Sequence, residues 1–358
     1  MTAALGREID RRAARYLEGL KRYRNHPYQR DIADPPAIWS EGASRLLDHG
    51  ARHEDSGDTG DGVPAPDRSV LVVPSLINRG YILDLSRENS LMQWLVSRGF
   101  RPLRLEWGAP GPLEETYALT DAVAGRLERA TLAATDFAGK PVPVVGYCMG
   151  GTLVAALAHR RPDLVGAAAF LAAPWDFHTE GAKSASLFSM GMQAFGPWFE
   201  NGLPVPVDLL QAMFTMIDPL VALRKYSAFA ETPQESPRAR AFVALEDWLN
   251  DGIDLPGRIG RACFEGWYGR NEPQRGTWMI AGAPVIPGEI QLPSLHLVAD
   301  RDRIVPPASA LALANAIPGS ETRRVGLGHI GMVAGRSAPA AVWPLLGDWL
   351  SEQIGRRV

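Results

Sequence analysis

Residues 142–157, VPVVGYCMGGTLVAAL, constrain the fold of this chain more than any other stretch. Valines run directly into a glycine-flanked Cys148, and an Ala- and Leu-rich segment follows without a polar break. β-Branched residues suit a strand, and Ala and Leu are strong helix formers, so the stretch reads as strand, sharp turn and helix. Gly146, Gly150 and Gly151 surround the turn, where side chains would clash with a strained backbone. A strand that feeds straight into a helix is the unit of a parallel sheet with crossover helices.

The rest of the chain follows the same alternation. Short apolar runs predict strands over residues 69–74, 102–107, 142–147 and 167–173, with helices over 89–98, 120–137 and 149–160 between them. The pattern lapses over residues 178–285, which carry Phe188, Met190, Met192, Phe195, Trp198, Phe199, Met213, Met216 and many prolines. An insertion this long in an α/β sheet reads as a cap over the site. The alternation resumes with strands over 294–299 and 322–326 and helices over 308–316 and 339–352, the last bearing Val342, Leu345, Leu346 and Leu350. Ahead of the sheet, Leu5, Ile9, Ala13, Tyr16, Leu17 and Leu20 fall at helical spacing, predicting an amphipathic helix that packs on the body or on a partner. His53 to Asp67, HEDSGDTGDGVPAPD, reads as a solvated linker, since its acids do not fall at calcium-loop spacing. The expected organisation is therefore an N-terminal helix and linker (1–68), a core (69–177 and 286–358) and a cap (178–285). The fold class is α/β, an α/β-hydrolase fold with a mostly parallel central sheet, helices on both faces and a large, mostly helical cap insertion.

Charge and cysteine content narrow the class. With 37 Lys+Arg against 40 Asp+Glu the chain lacks the basic surplus of a nucleic-acid binder. Cys148 and Cys263 are too few and too distant for a disulfide framework, which suits a reducing compartment. The charged N-terminal stretch has no apolar signal core, and no run reaches the ~18 apolar residues of a transmembrane segment. A cytoplasmic enzyme is expected.

The turn at Cys148 has the form G-x-nucleophile-x-G, with cysteine in the place usually held by serine. It sets the sulfur at a helix N-terminus, whose dipole favours a thiolate. The backbone N–H of Met149 would then face an oxyanion. No G-x-S-x-G occurs to compete, and Cys263 in GRACFEGWY lacks the flanking glycines and is expected to pack. Of seven histidines only His329 follows a late strand in a glycine-framed loop, GLGHIG; His159 on a helix and His296 in a strand read as structural. The acid should follow the penultimate strand, in VADRDRIVPP. Asp302, on the turn beyond the strand end, is preferred, with Asp300 and Asp176 as alternatives. The order Cys148, Asp302, His329 is nucleophile, acid, base. A second oxyanion N–H is expected from PSLINRGYILDL, around Leu76, Ile77 and Asn78, although Asn78 and Arg79 are equally suited to tying that loop down. The chain has no metal cluster, phosphate loop or dinucleotide fingerprint, so no cofactor is expected.

VPSLINRGYILDL, LEWGAPG, GYCMGGTL, DRDRIVPP and GHIG, with GRNEPQRGTWMIAGAPVIP, resemble the polyhydroxyalkanoate (poly-3-hydroxybutyrate) synthase catalytic subunit. The resemblance spans about residues 69–352, and the length is similar to the short synthases that require a partner subunit. It implies an acyltransferase polymerising (R)-3-hydroxyacyl-CoA into polyester with release of coenzyme A. Cys148 would accept the acyl group, His329 would activate it, and the acid at Asp302 would activate the hydroxyl of the incoming group. It further implies contact with the polyester chain or granule surface and with an accessory synthase subunit; a homodimer through the cap fits the same picture. The chemistry agrees. A cysteine attacking an acyl-CoA exchanges one thioester for another and keeps the acyl-transfer potential, and the covalent intermediate divides a hard step in two. A Met- and Phe-rich cap would exclude water. The alternative keeps the site but changes the acceptor: a thioesterase, a polyhydroxyalkanoate depolymerase or a single-turn acyltransferase. A third reading is a non-catalytic granule protein that retains the fold.

Overall fold

The computed structural model describes residues 2–51, 64–179, 191, 196, 198–199 and 203–355. Eight strands form the central sheet: β1 (Ala37–Glu41), β2 (Ser44–Asp48), β3 (Ser69–Val73), β4 (Arg101–Glu106), β5 (Val142–Tyr147), β6 (Val165–Leu171), β7 (Ser294–Ala299) and β8 (Glu321–Val325). Their order is β1-β2-β4-β3-β5-β6-β7-β8. The hairpin β1–β2 and the β2–β4 pair are antiparallel, and every other neighbour is parallel. The sheet thus begins at Ala37, ahead of the expected core boundary at residue 69. AIWSE and SRLLD were not read as strands because they are short and β1 lies half exposed at the sheet edge, so neither carries a long apolar run.

All six strands expected from the sequence form, and four of them are buried on both faces. Every residue of β3, β5, β6 and β7 is buried, and such strands read as continuous apolar runs. Alternation still divides them: Leu71 and Val73 point into one core layer with Leu103, Leu105, Val144 and Leu153. Val70 and Val72 point into the other, with Phe100, Val145, Trp343 and Leu350.

Ten longer helices surround this sheet: α1 (Thr2–Arg24), α2 (Leu91–Ser97), α3 (Glu128–Ala138), α4 (Met149–Arg160), α5 (Val207–Ile217), α6 (Val221–Ala230), α7 (Pro237–Asn250), α8 (Gly257–Arg261), α9 (Pro307–Ala316) and α10 (Trp343–Gly355). Wider π-helical turns precede α3 (Asp121–Leu127) and follow α8 (Ala262–Gly269). The expected helix over 89–98 begins later, at Leu91, because Ser90 caps it by accepting from Gln93 N at 2.9 Å. The expected helix over 339–352 divides into Ala338–Ala341 and α10.

The N-terminal helix forms, but only part of the expected face turns inward, Tyr16 among it. Leu5, Ile9 and Leu17 are 61%, 57% and 62% exposed. Contact with α6 is made by Tyr16 and Tyr23, whose rings lie 6.0 and 5.8 Å from Tyr226, and by Gly19. A Cβ at Gly19 would stand 1.9 Å from the Tyr226 carbonyl oxygen, so close approach of the two backbones selects this face.

The described part of residues 178–285 is helical, α5 to α8, apart from the short pair Met279–Ile280 and Ala283–Pro284. Phe188, Met190, Met192 and Phe195, expected in the cap, and residues 53–63 of the expected linker lie outside the described residues. Among the described residues no helix is long and apolar enough to cross a membrane.

Candidate active site

The strand-to-helix turn between β5 and α4 holds Cys148 at φ 54° and ψ −130°, a left-handed conformation costly for any residue with a Cβ. Its N–H donates to Leu171 O at 2.9 Å and its carbonyl accepts from Gly151 N at 2.9 Å, fixing the turn on both sides. The flanking glycines have a steric cause. A Cβ at Gly146 would come 2.5 Å from the Gly151 Cα, and one at Gly150 would come 2.3 Å from Val73 O. The sulfur is thereby presented, partly exposed, at the carboxyl edge of the sheet, the usual place for a ligand in an open α/β fold.

Asp302 and His329 arrive at the same edge from the loops after β7 and β8. Those loops are knitted by Asp300 N donating to Val325 O (2.8 Å) and Arg301 N to Leu327 O (2.9 Å). His329 Nδ1 lies 2.6 Å from Asp302 Oδ2, and both residues are buried. The other carboxylate oxygen, Oδ1, accepts from the backbone N–H of Ile304 and of Val305, each at 2.8 Å. With Nδ1 committed, Nε2 is left for the cleft that Cys148 and His329 line together. Burial disfavours a charged imidazole, but the negative charges of Cys148 and Asp302 and their hydrogen bonds outweigh it, so His329 is pushed up to about 10.

Tyr147 was not anticipated, although it stands next to the nucleophile. Its ring stacks on His329 at 5.2 Å and its hydroxyl donates to His329 O at 3.3 Å. Burial, with the charges of Cys148 and Asp302 behind it, raises the phenol well above its ordinary range and keeps it a neutral donor.

The remaining candidates are accounted for elsewhere. Asp300 is paired with Arg324 at 2.6 Å, and Asp176 accepts from Asn271 Nδ2 and His178 N. His159 is bonded to Glu289, and His296 stacks on Phe170 at 4.6 Å, with burial lowering it to about 3 and leaving it neutral. Cys263 is buried, which pushes its thiol up and away from ionisation. Among the described residues no group of three His, Cys, Asp or Glu is placed to hold a metal ion.

Met149 opens α4, so its N–H falls in the helical turn that lacks intrahelical acceptors. The loop after β3 supplies the other expected donors. Ile77 N–H is taken by Ser75 Oγ at 3.2 Å, while Leu76 is buried and lines a second cavity with Trp107 and Arg126. Ile77 and Asn78 line the cleft above Cys148 and His329, which encloses about 600 Å³ including the part open to solvent. Gln211, Trp248 and Leu249 close it from the cap. Asn78 and Arg79 also tie the loop down: Asn78 Oδ1 accepts from Gln211 at 3.3 Å, and Arg79 pairs with Asp251 at 2.8 Å.

A Gly-flanked cysteine at a strand-to-helix turn, with a histidine and an aspartate paired after later strands, defines a class, and comparison with known proteins agrees. The family model of the alpha/beta hydrolase fold matches residues 120–334, and the chain belongs to that family. Within it, the chain is 28% identical over 323 residues to the poly(3-hydroxyalkanoate) polymerase subunit PhaC of Haloferax mediterranei, an alignment covering 88% of this chain and 63% of that one. The chain thus spans less than two thirds of that relative. The subunit of the same name from Haloarcula marismortui is 29% identical over 335 residues (90% and 69% covered), and that of Allochromatium vinosum 26% over 289 (79% and 81%). Among solved structures, a carboxylesterase of Nitrososphaera gargenis superposes with a TM-score of 0.54 at 14% identity, covering 90% of this chain and all of that one. The Paleococcus ferrophilus monoacylglycerol lipase gives 0.51 at 17%, covering 81% and 96%. These two likenesses concern the fold alone.

Proposed function

We propose that the chain is a polyhydroxyalkanoate synthase that passes (R)-3-hydroxyacyl groups from coenzyme A to Cys148, and from Cys148 to the hydroxyl of the next unit. The observation that carries this reading is a cysteine, in place of serine, at a hydrolase elbow and lining one cleft with His329, which is held by the buried Asp302. The polymerase names of the curated relatives support the same choice.

In the first half-reaction the Cys148 thiolate attacks the thioester carbonyl. The charge that develops on oxygen is met by the N–H of Met149 and one from the loop after β3. The new carbon–sulfur bond forms, the bond to coenzyme A breaks, and the departing thiolate takes the proton of His329. One thioester has replaced another. In the second half-reaction the now neutral His329 takes the proton of an incoming 3-hydroxyl group. That oxygen attacks the acyl-cysteine, an ester forms, and Cys148 leaves as thiolate beside imidazolium. Asp302 holds the ring throughout, with Oδ2 on Nδ1 and Oδ1 tied to the backbone. The geometry therefore supports Asp302 acting on the hydroxyl through His329. Coenzyme A enters as part of the substrate, and the cycle calls for no further cofactor. The same reading puts the protein at the surface of its polyester product, working with an accessory subunit.

The test is to mix the protein with 3-hydroxybutyryl-CoA, follow free-thiol release and identify the product. Polymer is expected, absent with Cys148→Ala and severely reduced with Cys148→Ser, whose hydroxyl is a far weaker nucleophile near neutral pH. Monomeric 3-hydroxybutyrate would instead assign a thioesterase. Full activity of Cys148→Ala would remove Cys148 from the mechanism.

A further inference from the structure

The loop after β3 is anchored at its start by the core, where Trp107 Nε1 donates to Pro74 O at 3.1 Å. Its far half is held from the cap. Trp248, in the last turn of α7 and only 3% exposed, donates its indole N–H to Arg79 O at 2.7 Å. Asn78 forms an antiparallel bridge with Gly252. Asp251 accepts from Arg79 Nε through one carboxylate oxygen (2.8 Å) and from the Tyr81 hydroxyl through the other (3.1 Å). Gln211 on α5 donates both to Asn78 Oδ1 (3.3 Å) and to Leu249 O (3.1 Å), bracing the two sides together.

We infer that Trp248 and Asp251 are positioning residues for acyl transfer: from the cap they hold the loop after β3, which lines the cleft over Cys148 and is the expected source of the second oxyanion N–H. This inference rests on the proposed acyl chemistry at Cys148. Oxyanion donors act only if they stand in place before the charge forms, because a donor that must first be ordered returns part of its stabilisation. The loop cannot be ordered by its own turn alone if the cap moves off, since four of the residues that grip it belong to the cap. Of these contacts the indole bond is part-buried and comes from a buried ring, whereas the Arg79–Asp251 pair is exposed and individually weak. Trp248 therefore carries the larger share. It follows that seating of the cap and assembly of the oxyanion site are one event.

Two reactions at the same sulfur separate this role from a merely structural one. Acylation by 3-hydroxybutyryl-CoA passes through an oxyanion, while alkylation by iodoacetamide does not. Trp248→Phe keeps the ring and removes the N–H; Asp251→Ala frees Arg79 and Tyr81. In single-turnover measurements on the full chain, Trp248→Phe is expected to slow acylation about tenfold or more. Alkylation should stay at the wild-type rate, with the loss in kcat and not in KM. Asp251→Ala should show the same pattern at smaller size, and tests the idea independently should Trp248→Phe fold poorly. Acylation unchanged in both variants, or acylation and alkylation falling together, would overturn the inference. A wild-type protein alkylated at Cys148 but never acylated would overturn the acyl-transfer reading itself, and this one with it.

Discussion

Cys148, His329 and Asp302 meet in the candidate site, where the charges around the imidazole decide its protonation. Burial works against a protonated His329, and the opposing influences are Cys148 and Asp302, which together push it up to about 10. On the proposed chemistry this balance changes during the cycle. Once the sulfur is acylated its charge is gone, the support for the imidazolium weakens, and the ring becomes a base as the hydroxyl arrives. Cys148→Ala reproduces that loss of charge. In this variant the His329 titration, followed by NMR of its ring resonances, should move down from about 10. A midpoint unchanged by the substitution would mean that Asp302 alone holds the proton. The sign for folding follows. A histidine raised in the folded state contributes stability that is complete below its ordinary value near 6.5 and lost as pH rises toward about 10. The alkaline loss in Cys148→Ala should therefore end at lower pH and be smaller. Cys148 and His329 were legible because each sits in a glycine-marked turn. Asp302 was separable from Asp300 only by its place beyond the strand end, and it is tertiary pairing that gives Asp300 to Arg324 and Asp302 to His329.

At the level of elements, the turn at Cys148 exists because three backbones meet there. A methyl at Gly150 would lie 2.3 Å from Val73 O and 2.6 Å from Pro74 O, atoms of β3 and of the loop that follows it. Backbone cannot swing aside as a flexible side chain can. Gly150→Ala should therefore lower stability by about 1–3 kcal/mol, read as a shift in the urea midpoint, and slow acylation by displacing that loop. Gly139 makes the useful contrast. It closes α3 at φ 70° with nothing within 4 Å of an added Cβ, so Gly139→Ala should cost about 1 kcal/mol and leave acylation untouched. Equal effects of the two would refute the steric account. The boundaries of β5 and α4 match the sequence reading residue for residue, because valines, glycines and alanines switch there within single positions. The hairpin β1–β2 escaped notice since its strands gain their order from pairing with β4, a partner more than 50 positions away in the chain.

Across the whole molecule, the core is not purely apolar. Arg104 on β4 is fully buried, donating to Glu106 at 2.6 Å and to His49 Nε2 at 3.1 Å. His49 Nδ1 in turn lies 3.8 Å from Asp84, which also accepts from Ser90 at 2.6 Å. This network ties the end of β2, β4 and the segment beyond the loop after β3 into one body, and Gly80 leaves space for the guanidinium, 2.7 Å from where a Cβ would stand. Arg104→Met should destabilise the fold by about 3–5 kcal/mol, because Glu106 is left buried without its partner; a urea midpoint equal to wild type would show that Glu106 finds another. Nothing in the RPLRLE segment distinguishes Arg104 from a surface arginine, whereas its buried neighbours Leu103 and Leu105 read as core at sight. By itself, the sequence determined the α/β alternation, the cysteine elbow and the order of nucleophile, acid and base, because propensity, glycine placement and chain order are local properties. Tertiary structure closed the choice among three candidate aspartates in favour of the preferred Asp302, and alone decided which residues of α1 turn inward and which cap residues grip the loop after β3. Those choices are made by contacts between segments far apart in the chain, where partner and geometry are settled by packing.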